Sequence, residues 1–394
     1  MDNMRTEMKA VLLEKPCNAE DLKISKIPIP IVKSGWVLVK IKAFGINRAE
    51  ILTRNGHSPS VKLPRVIGIE CVGIVEDPSD SDFNKGETVF SIMNGMGRDF
   101  DGSYAEYSLI PSNQVYKIDF NLLSSLKNFP KECYGDIENS EFLKWAKIAA
   151  YPELYYTAYG SLFKSLKLES KETLFIRGGT SSVALAAMQL SKALNVKIIA
   201  TTRNPSKEAF LKENGVDIVL IEDEFLEKNL FKYYPNGVDK ILELIGTSTL
   251  KSSLKLIKKS GIVCMTGCLG GWILNNFEPL DDIISESYLT SFNSTFVDKN
   301  TLEEMFEFIK NNNLYHASKV MEKQGKEEIF TLKKAKHCIG RTDWDYACAK
   351  QINPKIQYHF CNETLRPRFY ESEWNYEECK KNTLFFSQSH YPIK

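Results

Sequence analysis

Thr173-Leu174-Phe175-Ile176-Arg177-Gly178-Gly179-Thr180-Ser181-Ser182-Val183-Ala184 opens a unit that ends in Val196-Lys197-Ile198-Ile199-Ala200-Thr201-Thr202-Arg203. The first four residues read as a strand, the glycines as a turn, and Leu185, Met188 and Leu190 among alanines as a helix able to lie close against a sheet. Val196 to Ala200 reads as a second strand. The first amides of a helix have no internal partner and its dipole favours an anion, so this turn would aim N–H groups at a pyrophosphate. In dinucleotide-binding units an acid about 20 residues past the glycines bonds the ribose 2′-hydroxyl, whereas an arginine accommodates a 2′-phosphate. Here the second strand delivers Thr202 and Arg203, with Lys207 close behind, which predicts NADPH. Gly178, Gly179, Thr180, Ser181, Ser182, Val183, Thr202, Arg203 and Lys207 are the expected cofactor-binding residues. The spacing Gly178-x-x-Ser181-x-x-Ala184 keeps glycine only at its first place, and Ser181 puts a side chain where backbone should approach the phosphates. A plain strand-to-helix turn with a Thr/Ser cap therefore stays open as an alternative.

The chain has 394 residues, enough for two domains with sizeable cores. Its 43% hydrophobic content and net charge of +1 exclude bulk attraction to nucleic acid or membrane. Met1 to Lys9 is charged, with no apolar core, and reads as neither a secretory signal nor an anchor. The longest apolar run, near Gly261 to Leu274, is too short and too rich in glycine to span a bilayer. Nine scattered cysteines, an odd number, read as reduced thiols of a cytoplasmic protein.

Before the nucleotide unit, short strands are broken by Gly and Pro: Lys9 to Leu13, Trp36 to Ile41, Cys71 to Val75 and Thr88 to Ile92. Their spacing predicts a small antiparallel domain. Asn121 to Ser140 is polar and irregular, and Trp145 to Leu168 reads as helices. Beyond the opening unit the pattern predicts a helix near Pro205 to Asn214, strands at Asp217 to Ile221 and Val238 to Leu244, a helix over Ser248 to Lys258, and a strand at Gly261 to Thr266. Strands alternating with helices imply parallel, right-handed crossovers.

Three motifs precede this unit: Phe44-Gly45-Ile46-Asn47-Arg48-Ala49-Glu50, Pro64 to Val75, and Gly102-Ser103-Tyr104-Ala105-Glu106-Tyr107. With Thr157-Ala158-Tyr159-Gly160 and Gly261 to Gly267, they resemble the medium-chain dehydrogenase/reductase superfamily, most closely its zinc-free quinone oxidoreductase branch, also called zeta-crystallin-like. The resemblance covers roughly Met8 to Thr266. It implies an α/β fold in which a GroES-like antiparallel β-domain is joined to a Rossmann doubly wound parallel sheet. The implied division is 1–120 for the substrate and catalytic domain, 121–144 for an inserted connection, 145–295 for the NADP-binding domain, 296–322 for a return toward the first domain, and 323–394 for a divergent tail. It also implies NADPH-dependent reduction of a quinone or an α,β-unsaturated carbonyl, a homodimer, and cofactor contacts from Thr157 and Gly267.

In zinc-dependent relatives a Cys and a His stand where this chain has Asn47 and Ile69, and neither side chain here replaces a thiolate or an imidazole. The four-cysteine lobe of those relatives is missing between Ser91 and Ile110, so the expectation is a zinc-independent protein. Cys264-x-x-x-Cys268 reads as buried thiols rather than a ligand pair. Asn47 is the candidate catalytic residue, donating to a developing oxyanion or to the cofactor amide; the other reading is that it only satisfies a turn. Phe44 stands where this family often has a pocket tyrosine, which leaves proton delivery unassigned. The tail carries His337-Cys338, Cys348, His359-x-Cys361 and Cys379, whose spacing fits no standard zinc module. Cys133-Tyr134-Gly135 has no assigned role. The rival to an enzyme is a non-catalytic NADPH-binding sensor or interaction protein, because the likeness fades near Val320.

Overall fold

The computed structural model describes residues 6–118, 145, 148–312, 314, 337–340, 355, 357–360 and 383–385. Alternation of polar and apolar residues makes Glu7–Leu13 (β1) a one-sided strand that buries Met8, Ala10 and Leu13. It pairs antiparallel with Ile24–Pro28 (β2) and with the short Arg65–Val66 (β4). Beside it lies a five-stranded antiparallel sheet built from Trp36–Ala43 (β3), Glu70–Asp77 (β5), Thr88–Ile92 (β6), Tyr107–Pro111 (β7) and Tyr116–Lys117 (β8), in the order β7-β3-β5-β6-β8. Val37, Val39, Cys71, Val75, Val89 and Ile110 fill its core.

The second sheet is parallel throughout. Its order is β11-β10-β9-β12-β13-β14, from Thr173–Arg177 (β9), Lys197–Thr202 (β10), Ile218–Ile221 (β11), Val238–Glu243 (β12), Ile257–Met265 (β13) and Tyr288–Ser291 (β14). Central β9 is buried along its whole length, and its successive side chains serve opposite cores. Leu174 and Ile176 join Ala184, Ala187 and Met188 of helix Ser182–Ala193 on one face, while Phe175 joins Leu230 and Leu254 of the helices Leu226–Tyr233 and Thr247–Leu254 on the other. The alanines let the first of these helices approach the sheet closely. Arg177, at the end of β9, is locked by Glu222, by Thr249 O at 3.0 Å and by the hydroxyls of Ser252 and Ser253.

One core cluster crosses between the two sheets. Val72, Phe90 and Ile92 of the antiparallel sheet pack with Tyr151, Tyr155, Tyr156 and Tyr159 on and beside helix Pro152–Tyr159, and with Leu302, Met305 and Ile309 of helix Lys299–Asn311. Phe90 and Phe306 meet edge to face with ring centres 5.3 Å apart. No helix among the described residues is long and apolar enough to cross a membrane.

The antiparallel and parallel patterns agree with the sequence reading, and so do most element positions. One boundary does not. Helix Thr247–Leu254 stops short of Lys258, and β13 starts at Ile257. Leu256 and Ile257 are buried against β12, and the pairing jumps from Val238↔Ile257 to Lys240↔Ile262. Lys258, Lys259 and Ser260 thus bulge outward, and their exposed, polar character imitates the outer face of a helix. Residues 121–144, including Cys133-Tyr134-Gly135, lie outside the described residues. Cys348, Cys361 and Cys379 of the tail lie outside them as well. His337-Cys338 falls on His337–Gly340 (β15) and His359 on Gln357–Phe360 (β16). With Thr383–Phe385 (β17) these form a three-stranded parallel sheet in the order β16-β15-β17.

Candidate active site

The carboxyl ends of β9, β10, β12 and β13 share one edge of the parallel sheet. Chain order reverses between β9 and β12 there, at the crevice where open α/β sheets bind ligands. Gly178 turns the chain out of β9 with φ +87°, a value that L side chains rarely adopt. Its amide donates to Thr201 Oγ1 at 3.0 Å, and the Gly179 amide donates to Thr201 O at 2.9 Å. Both glycine amides are therefore spent on bracing the turn against β10. Ser181 is the N-cap: its hydroxyl donates to Gly178 O and accepts from the Ala184 amide at 3.3 Å. The amides of Thr180, Ser182 and Val183 find no acceptor among the described residues, so these three are the donors that the turn leaves available.

Thr202 is nearly buried, and its hydroxyl accepts from the Asn204 amide at 3.1 Å. Arg203 is exposed just beyond it, and the Lys207 ammonium lies 5.7 Å from the centre of the Phe210 ring. Gly267 caps β13, its amide donating to Glu243 O at 3.0 Å. Thr157 is turned toward the other half of the site, with its hydroxyl donating to Glu153 Oε1 at 3.1 Å.

Asn47 sits at the N-cap of helix Arg48–Arg54. Its backbone amide donates to Glu50 Oε2 at 2.7 Å, and Glu50 Oε1 accepts from the Ile69 amide at 3.1 Å. Asn47 and Glu50 form a capping box, with the Glu50 side chain reaching back to the Asn47 backbone and the Asn47 side chain facing the Glu50 amide. The Asn47 side chain also donates from Nδ2 to Glu70 Oε1 at 2.7 Å. Glu70 Oε2 accepts from the Glu153 amide at 3.2 Å. Pro152 starts that helix and has no N–H, so Glu153 supplies its first available donor. The Glu153 carboxyl accepts from Thr157 and from Ser294, and its Oε2 has no partner among the described residues.

Three carboxyl groups are therefore buried together where the sheets meet. Burial raises Glu50 and Glu70 to about 7 against the hydrogen bonds they accept. Glu153 rises to about 8, first through burial and then through the charge of Glu70. Tyr104 stacks on Phe44 with ring centres 4.6 Å apart, and burial plus the charges of Glu50 and Glu70 keep its hydroxyl protonated. A tyrosine thus lies against Phe44 and near Glu50 and Glu70, though it comes from the Gly102 to Tyr107 motif and not from the position of Phe44. Sequence reasoning overlooked Glu70, Glu153 and Tyr104. The available signal was a carboxylate inside apolar runs, Val66 to Val72 and Tyr151 to Tyr156.

The donor set around Asn47 fits zinc poorly. The Asn47 amide is bonded to Glu70, the Ile69 side chain is buried, and burial pushes the Cys71 thiol up to about 12. Among the described residues no group of three or more His, Cys, Asp or Glu side chains is arranged to hold a metal ion. On the rim, His57 follows helix Arg48–Arg54 and meets Trp272 edge to face at 5.9 Å. The Trp272 loop is itself tied to the end of β12, with the Thr247 amide donating to Gly271 O and the Gly270 amide to Ile245 O.

Residues 33–120 match the alcohol dehydrogenase GroES-like domain, and residues 182–311 match the zinc-binding dehydrogenase family. The chain is 30% identical to the quinone oxidoreductase of Homo sapiens over 297 residues, covering 73% of this chain and 82% of that protein. The Rattus norvegicus quinone oxidoreductase is 28% identical over 307 residues, covering 76% and 84%. In fold it is similar to the quinone oxidoreductase of Pseudomonas syringae pv. Tomato, with a TM-score of 0.64, 20% identity and coverage of 79% of this chain and 94% of that one. It is also similar to mycobacterial Rv1454c complexed with NADPH, with a TM-score of 0.62, 21% identity and coverage of 88% and 97%. The family matches and relatives make the chain a member of an oxidoreductase family whose members bind a nicotinamide cofactor. The chain belongs to the medium-chain dehydrogenase/reductase superfamily, in its quinone oxidoreductase branch.

The buried carboxyls have a measurable consequence. Their folded pKa values of about 7, 7 and 8 exceed the unfolded value of 4.5, so the native state holds more protons than the unfolded state between pH 4.5 and 8. Their contribution to stability is fully present below the unfolded value and is lost as pH rises through 7 to 8. The slope is up to about 1.4 kcal/mol per pH unit for each extra proton held. Urea unfolding at pH 6 and pH 8.5 should show the wild type weaker at the higher pH, with a smaller difference in Glu153→Gln. Equal slopes for the two proteins would contradict the shared burial of these groups.

Proposed function

We propose that the chain is an NADPH-dependent, zinc-independent reductase of quinones or α,β-unsaturated carbonyls. The observation that carries this is the joint placement of the Thr180, Ser182 and Val183 amides with Arg203 and Lys207 along one sheet edge. That edge is joined at the rim, through Trp272 and His57, to the helix that Asn47 caps. The turn amides would hold the pyrophosphate, Gly178, Gly179 and Ser181 would shape the turn, and Thr157, Thr202 and Gly267 would line the cofactor groove. Arg203 and Lys207 would take the 2′-phosphate. When bound, the cofactor supplies a hydride from its nicotinamide ring. Asn47 carries two N–H groups on Nδ2; one is held by Glu70, and the second would donate to the oxygen on which negative charge develops. The amide at position 47 and the isoleucine at position 69 support a site that works without zinc. The same reading takes the protein as a cytoplasmic homodimer, with β14 at the open edge of the parallel sheet.

NADPH oxidation against a small panel of quinones and enals, beside direct NADPH binding, tests the proposal. Turnover supports it; tight binding with no turnover on any acceptor supports a non-catalytic NADPH-binding protein instead. Arg203→Ala should weaken NADPH by about 1.5–3 kcal/mol, the range for hydrogen bonds to charged groups, and leave NADH nearly unchanged. An equal loss for both cofactors would remove Arg203 from the 2′-phosphate. Chelator treatment should leave turnover intact; stoichiometric zinc whose removal abolishes activity would overturn zinc independence. Asn47→Ala should lower turnover by roughly 10²–10³ while NADPH affinity stays nearly constant. Unchanged turnover beside a lowered melting temperature would leave Asn47 only a turn residue.

A further inference from the structure

Glu70 is a buried acid to which the proposed chemistry gives no role. Only 4% of it is exposed, yet both its oxygens are engaged, Oε1 by Asn47 Nδ2 and Oε2 by the Glu153 amide. The backbone makes room for it. A Cβ on Gly45 would stand 2.0 Å from Glu70 Oε1, 2.8 Å from its carboxyl carbon and 3.5 Å from Asn47 Nδ2. Only glycine at position 45 lets the carboxylate reach the edge of the Asn47 amide.

An asparagine amide presents two donors on one side and two acceptor lone pairs on the other, and in isolation either side serves. Opposite Glu70 it has no such choice. A flip would set Asn47 Oδ1 against Glu70 Oε1, acceptor against acceptor, inside a buried site where an unpaired polar group is costly. We infer that Glu70 is a positioning residue, which fixes the Asn47 amide so that its second N–H is the group offered to substrate. This rests on the reading of Asn47 as the oxyanion donor.

The groups facing Glu70 add no competing cation. Glu50 comes from helix Arg48–Arg54, Glu153 from helix Pro152–Tyr159, Tyr104 from the segment before β7, and Cys71 from its own strand. Tyr104 and Cys71 stay neutral, and among the described residues no Lys or Arg pairs with Glu70. Ionised Glu70 accepts both N–H groups. Protonated Glu70 turns one oxygen into a donor, which must face either the Asn47 or the Glu153 N–H. The grip on Asn47 therefore weakens as pH falls through about 7, the value near which Glu70 titrates.

The test uses the full chain with NADPH and 1,4-naphthoquinone, comparing the wild type with Glu70→Gln, Asn47→Ala and the double variant. Glutamine offers one acceptor and one donor, so one of the two bonds is lost. Glu70→Gln should lower kcat roughly ten- to one-hundred-fold, the scale of a hydrogen bond to a charged group. KM for the quinone and Kd for NADPH should be nearly unmoved; the wild type should show a fall of kcat below about pH 7, and that fall should be absent in Glu70→Gln. In the Asn47→Ala background the same change should cost little more, because the two residues act as a unit. A readout independent of turnover is the Asn47 side-chain NH2 pair in a ¹⁵N-edited spectrum, identified by its loss in Asn47→Ala. One of its protons should shift with pH in the wild type and not in Glu70→Gln.

Unchanged kcat and an unchanged pH profile in Glu70→Gln, fully additive losses in the double variant, or an amide pair insensitive to pH would each overturn the assignment. A large loss in Asn47→Ala with additive Glu70→Gln sinks the positioning role alone, whereas unchanged turnover in Asn47→Ala sinks the donor reading and this inference together. If Glu70→Gln does not fold, Gly45→Ala is read in the same way, since it keeps the carboxyl but crowds it away from Asn47.

Discussion

One buried carboxylate bridges the two halves of the site. Glu70 leaves the antiparallel sheet at the start of β5 and accepts one hydrogen bond from the cap of helix Arg48–Arg54 and another from the first turn of helix Pro152–Tyr159. Removing a carboxylate from water is costly, and Glu50 and Glu153 nearby raise that cost. Two N–H donors, at 2.7 Å and 3.2 Å, offset part of it beside the shared core around Phe90, Tyr156 and Met305. Stability alone would be served as well by an apolar side chain. Titratable groups held in such a strained balance concentrate where a protein does chemistry.

At the opposite edge the same logic appears with neutral groups. Thr201, the last buried residue but one of β10, receives the amides of both Gly178 and Gly179. The turn is thereby stitched to the neighbouring strand before any ligand arrives, and Ser181 closes the helix end from within. The three amides left over point outward from a braced frame. Donors ordered by the fold in advance would lose little on binding an anion. The serine that departs from the glycine pattern is therefore compatible with the site: its hydroxyl turns back to Gly178 O and leaves the outward amides alone.

Much of the architecture was legible in the sequence because period and punctuation carry it. Leu174-Phe175-Ile176 at the centre of β9 reads as an apolar run, β1 as an alternation, and the end of β10 as Thr-Thr-Arg where an acid would otherwise stand. The helix after Gly246 misled because Lys258-Lys259-Ser260 is polar for a different reason, a bulge at the start of β13. The carboxylate network was not legible, since Asn47, Glu70 and Glu153 are 23 and 83 residues apart in their pairwise bonds and only tertiary packing joins them. A glutamate within Ile67-Gly68-Ile69-Glu70-Cys71-Val72 was the trace left in the sequence. An acid survives in such a run only if something buried receives it.

The choice of Pro152 shows how local chemistry serves this tertiary purpose. Proline is comfortable in the first helical position because the missing N–H had no helical partner to lose. Its effect here is to make the Glu153 amide the first donor at the positive end of the helix, where the dipole favours a negative charge. Glu70 sits at that end, so the helix favours its ionised form while burial opposes it, and the balance falls near neutrality. Glu153 contributes its amide to Glu70 but its own side chain turns away to Thr157 and Ser294, leaving one oxygen unpaired. An unpaired oxygen tolerates a neutral acid far better than an anion. Glu153 is therefore held protonated more strongly than Glu70, which favours the negative charge on the carboxyl that grips Asn47.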